Sequence, residues 1–248
     1  MAGSGGKPVG DRLGVGFRRA AAAFDIRSTL ARGGSQAAFE RGLIKKLKLL
    51  NKEEFENSIG FKLKKRNVLI TYHPVTLEKE APIETFENVL TALDELTDTA
   101  LIFTHANSDK NGRIINKMIT EYVSSHKDKA VEFKSLGQLR YLSALQYVDF
   151  VIGNSSSGIL EVPVFYIPTI NIGDRQRGRI CNESVINSNN SLEDIKKSIT
   201  FALDKTFREK IQQQKLLYGN GTAAEKIFQI IKEHNHISIK KSFYNIDF

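Results

Sequence analysis

The chain has 248 residues, 41% of them hydrophobic, which is enough apolar content for one sizeable α/β domain. Its single cysteine, Cys181, excludes an internal disulfide and any multi-cysteine metal site, and the sequence lacks the run of about 18 apolar residues that a transmembrane helix needs. The net charge of +8 divides evenly between residues 1–42, with seven Lys/Arg against three Asp/Glu, and residues 43–248, with 29 against 25. That mildly basic, interleaved body suits a phosphate-bearing small ligand or an ordinary soluble surface, and lacks the dense basic stripe and aromatic interleaving of an extended nucleic-acid interface.

Composition breaks near residue 42. Residues 1–42 hold nine of the 18 glycines, eight alanines and six arginines, whereas lysine outnumbers arginine 22 to 7 afterwards. Residues 1–42 therefore read as a non-homologous or flexible lead-in. The stretch "FRRAAAAFDIRSTLARGG" is also compatible with a transit peptide, although Asp11, Asp25 and the glycines argue against one, and the first residues lack the apolar segment of a secretory signal.

From residue 66 the chain alternates between two periods. "RNVLITY" (66–72) is a buried-strand pattern ending at His73-Pro74. A helix follows, with Phe86, Val89, Leu90, Leu93 and Leu96 at helical spacing, then the strand "TALIFT" (99–104). Ile114, Ile115, Met118, Ile119 and Tyr122 mark the next helix, "AVEF" (130–133) a third strand, and Leu136, Leu139 and Leu142 a short helix. "VDFVIG" (148–153) and "VFYIPTIN" (164–171) are predicted strands flanking a serine loop and a short helix; Pro168 points to an edge position or a bend in the second. Leu192, Ile195 and Ile199 open a helical C-terminal third. This alternation predicts an α/β fold with a doubly wound, Rossmann-like parallel sheet, whose ligands collect at the carboxyl ends of the strands.

The residues with chemical potential fall at those ends. In "GNSSSGILE" (153–161), Gly153 and Gly158 would let backbone approach a diphosphate, and Ser155 and Ser156 add hydroxyl donors near unpaired N–H groups. Glu161 is suited to a ribose diol. An ordinary serine-rich helix cap explains the same letters equally well. His73 stands where it could act as acid or base or bind phosphate, against the plainer role of an exposed or structural histidine. Asn107 and Asp109 lie in the polar loop "THANSDKNGR", and Arg175 in "NIGDRQRGR", whose arginine forks match phosphate oxygens but equally make a solvated basic turn. His105, His126, His234 and His236 show no metal-ligand spacing, so no metal is expected, and neither a GKS/GKT loop nor GxGxxG is present to suggest an ATPase or a dinucleotide cofactor.

Taken together, "TYHPVTLE", "GNSSSGILEVP" and "PTINIGDRQRGR" resemble the hydrolysing UDP-N-acetylglucosamine 2-epimerases of sialic and legionaminic acid biosynthesis, from about residue 43 through "YGNGTAAEKI" to about 235. The resemblance implies the C-terminal, nucleotide-binding half of a glycosyltransferase-B-like fold over residues 43–236, with 237–248 as a tail. It implies UDP-binding roles for His73, Asn107, Leu136 (a backbone contact to uracil), Ser155, Ser156, Glu161 and Arg175, and a catalytic role for His73; Ala106 stands where the family has proline. Such enzymes eliminate UDP to leave a 2-acetamidoglucal and then add water, giving N-acetylmannosamine, with no cofactor. Family members also carry an N-terminal domain that contributes catalytic groups and that residues 1–42 do not resemble. This chain is accordingly expected to bind UDP and to be inactive alone, completed by a homo-oligomer or by a partner supplying that domain. The alternatives are a UDP-N,N'-diacetylbacillosamine 2-epimerase, the UDP-binding module of a glycosyltransferase of the same architecture, or a non-catalytic UDP-binding module. No membrane or nucleic-acid partner is expected, and one cysteine suits a reducing, cytoplasmic location.

Overall fold

A computed structural model describes residues 44, 47–75, 82–107, 110–218 and 222–233. The expected lead-in (1–42), the tail (237–248), Asp109, His234 and His236 lie outside the described residues. Residues 44–218 form one compact unit.

That unit opens with helix α1 (Lys52–Ile59), which the hydrophobic pattern does not signal. Its start is written in a capping box: Asn51 Oδ1 accepts from the Glu54 N–H and Glu54 Oε2 from the Asn51 N–H, both at 2.9 Å. Gly60, at φ +62°, ends it. Asn51→Ala should lower stability by about 1 kcal/mol in urea unfolding, with UDP affinity unchanged.

The rest alternates as expected: β1 (Arg66–Thr71), α2 (Pro82–Asp94), β2 (Thr99–Thr104), α3 (Lys110–Ser125), β3 (Ala130–Phe133), α4 (Gly137–Ala144), β4 (Phe150–Gly153) and the single-turn α5 (Ser157–Leu160). A 3₁₀ turn (Val162–Phe165), β5 (Thr169–Ile172), β6 (Val185–Ser188), α6 (Leu192–Leu203) and α7 (Lys205–Ile211) complete it. The six strands, all parallel, lie in the order β3-β2-β1-β4-β5-β6. This is the doubly wound Rossmann order, whose direction of winding reverses between β1 and β4.

Alternation along the strands feeds two cores. Val68 and Ile70 of β1 pack with Phe86 and Leu93 of α2, Ile115 and Ile119 of α3, and Ile195 and Ile199 of α6 on one face. Leu69, Ile102 and Val151 point the other way, against Phe55 of α1, Leu142 of α4 and Val162.

Two expectations need correction. The predicted strand over 164–171 begins only at Thr169: its first part is the 3₁₀ turn, ended by Tyr166 at φ +56°. Pro168 thus precedes the strand, and β5 is interior, not an edge. The sixth strand, "VINS", went unread because two of its four residues are polar and it is too short to show a period.

Helix α8 (Ala223–Glu233) belongs to a second unit and carries Ile227, Phe228 and Ile231 along one side. Among the described residues, no helix is long and apolar enough to cross a membrane.

Candidate functional site

Parallel pairing brings the carboxyl ends of β1, β2 and β4 to one edge, where a cavity of about 420 Å³ opens. Its floor is Thr71 and Thr104, the last residues of β1 and β2, whose hydroxyls lie 2.6 Å apart; Thr104 also reaches the Ile70 carbonyl at 3.3 Å. His105 continues from β2 into the cavity wall, its Nε2 held 2.6 Å from Glu132 Oε2, an oxygen that also accepts from the Thr120 hydroxyl at 2.9 Å. The loop leading into α4 supplies Ser135 and Leu136, and α4 itself Gly137 and Tyr141. Ser155, Ser157 and Glu161 close the opposite side.

The serine loop begins with a steric constraint. Gly153 sits at φ +143°, and a Cβ there would lie 1.9 Å from the Thr71 carbonyl oxygen. A Cβ on Gly158 would come within 2.7 Å of Thr169 Cγ2, and the Thr169 hydroxyl donates to the Gly158 carbonyl at 2.8 Å. Packing against the neighbouring strands thus disfavours a side chain at either position, a need separate from any approach of backbone to a diphosphate.

Asn154 is buried and holds the loop ends together. Its Oδ1 accepts from the His73 N–H at 2.8 Å and its Nδ2 donates to the His73 carbonyl at 2.7 Å, a side-chain rung laid just past the last β1–β4 pair, Thr71 with Gly153. Its own carbonyl accepts from Arg175 Nη1 and from Gln176 Nε2, each at 2.8 Å. His73, the serine loop and the loop after β5 are thereby joined through one residue.

Ser156, the residue just before α5, makes no side-chain cap, whereas Ser155 Oγ accepts from the Ser157 N–H at 3.4 Å and so does part of a cap's work. Tyr141 Oη donates to Ser157 Oγ at 2.7 Å, and Ser157 Oγ donates to Ser155 Oγ at 3.1 Å. Burial, and then the charge of Glu161, pushes the Tyr141 hydroxyl well above its usual range, so it keeps its proton. In "GDRQRGR", Arg177 pairs with Asp174 at 3.5 Å, whereas Arg175 is pulled below its ordinary value by burial and then by the positive charge of Arg179. A bound anion beside Arg175 would relieve both effects.

Of the sequence-predicted residues, Leu136, Ser155 and Glu161 line the cavity together. His73 and Arg175 meet at Asn154 beside it, and Ser156 stands between Ser155 and Ser157 at the start of α5. Asn107 is exposed on the loop beyond β2, next to Ala106, whose N–H and carbonyl are both bonded to the Asn116 side chain, at 2.7 and 3.2 Å. Sequence reasoning missed Thr71, Thr104, His105, Tyr141 and the structural work of Asn154. Only position signalled the first three, each at a strand end. Tyr141 carries no local signal, since its partner is sixteen residues away.

A family model described as UDP-N-acetylglucosamine 2-epimerase matches residues 41–232. The GDP/UDP-N,N'-diacetylbacillosamine 2-epimerase (hydrolyzing) of Campylobacter jejuni is 40% identical over 167 residues, covering 67% of this chain and 43% of that protein. The UDP-N,N'-diacetylbacillosamine 2-epimerase (hydrolyzing) of Legionella pneumophila is 31% identical over 204 residues, covering 81% and 52%. The crystal structure of UDP-GlcNAc 2-epimerase from Neisseria meningitidis bound to UDP-GlcNAc shares the fold, with a TM-score of 0.59 at 17% identity over 79% of this chain and 52% of that one. The chain spans about half the length of the curated relatives it matches. With a six-stranded Rossmann sheet, a serine loop at the end of its fourth strand and a family match across most of its length, the chain belongs to the UDP-N-acetylglucosamine 2-epimerase family.

Proposed function

We propose that this chain provides the UDP-binding part of a hydrolysing UDP-sugar 2-epimerase, which turns UDP-N-acetylglucosamine and water into N-acetylmannosamine and UDP. The observation that carries the reading is the convergence of Leu136, Ser155 and Glu161 on one cavity, with His73 and Arg175 tied to the adjoining Asn154. In the proposed pose the Leu136 backbone meets uracil, Glu161 accepts from the ribose hydroxyls, and Asn107 contacts the nucleotide from the β2 loop. Ser155, Ser156 and Arg175 take the diphosphate, and His73 lies between diphosphate and sugar. Departure of UDP builds negative charge on the phosphate oxygen, and donors fixed before the reaction stabilise that charge without reorganising. His73 is the imidazole that this pose sets beside the sugar, and His105 is a second imidazole in the cavity wall.

A second substrate is favoured by a specific observation: the 40% identical Campylobacter relative is named for a diacetamido sugar. The reading places the UDP-binding domain at 43–236, with 1–42 as a lead-in and 237–248 as a tail. A second copy or a partner chain would supply the other wall of the cleft, and the single cysteine suits the cytoplasm.

Calorimetric titration of the full chain with UDP, UDP-N-acetylglucosamine and UDP-N,N'-diacetylbacillosamine tests the proposal, followed by assay of released UDP and free sugar. Glu161→Ala and Arg175→Ala should each weaken UDP binding by about 1.5–3 kcal/mol, roughly ten- to a hundred-fold. Unchanged UDP affinity in both variants would remove the assigned site, and tighter binding of the diacetamido substrate would select the second reading.

A further inference from the structure

We propose that Tyr141 and Ser157 are positioning residues that fix the Ser155 hydroxyl as a hydrogen-bond donor aimed at the ligand's diphosphate, a role that rests on the UDP-binding reading above. A serine hydroxyl has one proton and two lone pairs, and left alone it rotates to suit either a donor or an acceptor. Ser155 is not left alone. Its Oγ receives the Ser157 hydroxyl at 3.1 Å and the Ser157 N–H at 3.4 Å, so both lone pairs are engaged. Ser157 in turn receives the Tyr141 hydroxyl at 2.7 Å. The chain runs one way, from Tyr141 to Ser157 to Ser155, and the proton it displaces at Ser155 has the cavity left to it, since Ser155, Ser157 and Tyr141 all line that cavity.

The direction is set at its far end. Burial, and then the charge of Glu161, keep the Tyr141 phenol protonated, and its geometry gives that proton to Ser157 at 2.7 Å. Reversing the chain would require Ser155 to donate inward and the phenol proton to find another acceptor. Hydrogen bonds in series also polarise one another, so the last hydroxyl is a better donor to an anion than an isolated serine.

The test is a pair of titrations on the full chain, with UDP and with uridine, which lacks the diphosphate. Tyr141→Phe keeps the ring and removes only the hydroxyl. UDP affinity should fall about five-fold while uridine affinity stays the same. Ser157→Ala should behave alike, and adding Tyr141→Phe to it should cost nothing further, because both act through the same oxygen. Urea unfolding midpoints of the variants, checked alongside, separate a ligand effect from a loss of fold. Equal loss of UDP and uridine affinity would make Tyr141 a packing residue of the cavity wall and overturn the proposal, as would unchanged UDP affinity. Additive effects of the two substitutions would overturn it too. A failure confined to these variants, with Glu161→Ala and Arg175→Ala still weakening UDP, removes the relay and leaves the site; failure of all four removes the site itself.

Discussion

Gly153→Ala should lower the stability of the 44–218 unit by about 4 kcal/mol, among the largest effects of any single methyl group in this chain. Two costs add. At φ +143° the backbone occupies a region that L side chains rarely adopt, and the new Cβ would sit 1.9 Å from the Thr71 carbonyl oxygen. That oxygen belongs to the last residue of β1 and accepts from the Asn154 N–H at 3.2 Å, so it cannot move away without opening the sheet at its working edge. Gly178→Ala is the control: its φ is +82°, but nothing lies within 4 Å of its Cβ, and a loss of only about 1 kcal/mol is expected. Urea unfolding of the two variants measures the difference directly. Equal losses would mean that backbone conformation alone is at stake and that the approach to Thr71 is relaxed in solution.

Asn154→Ala should be nearly as damaging, at about 3 kcal/mol, and should also weaken UDP binding about ten-fold. The side chain satisfies both the N–H and the carbonyl of His73. Its removal takes away both of these hydrogen bonds just past the end of β1, at a cost above the net gain of an ordinary hydrogen bond. The binding loss follows from position: His73, Ser155 and Arg175 are registered against one another through this residue. Asn154→Asp should also lose both, for a different reason. It keeps the acceptor for the His73 N–H but turns a donor into a charged oxygen facing the His73 carbonyl, so stability falls and the added negative charge opposes the diphosphate. An Asn154→Ala variant with full UDP affinity would show that the loops hold their places without the tie.

Much of this was legible in the letters. The first four strands are short apolar runs with breakers at their ends, and buried parallel strands must read that way. The serine loop was legible because glycine, asparagine and hydroxyls crowd a strand end. What stayed hidden depends on pairs distant in sequence. Asn154 and His73 are 81 residues apart, and Thr71 and Thr104 are 33 apart; nothing local distinguishes these residues from ordinary polar ones. The glycines were legible as important, but their packing role was not, since the atom each avoids lies in another strand. Helix α1 was missed for a different cause: its capping box is present in "NKEE", but its apolar residues, Phe55 and Ile59, make only one turn of pattern.

The strand that escaped reading has a consequence for the molecule's behaviour in concentrated solution. β3 and β6 form the two margins of the sheet, each four residues long. A margin strand offers unpaired peptide groups to any passing chain, and long apolar margins seed aggregates. Here one margin carries Glu132, and the other carries Asn187, whose Oδ1 accepts from Asn171 Nδ2 at 2.9 Å. The polarity and brevity that concealed "VINS" from periodicity are the properties that keep it from recruiting strangers, so the same letters that make this strand hard to read make it safe to expose.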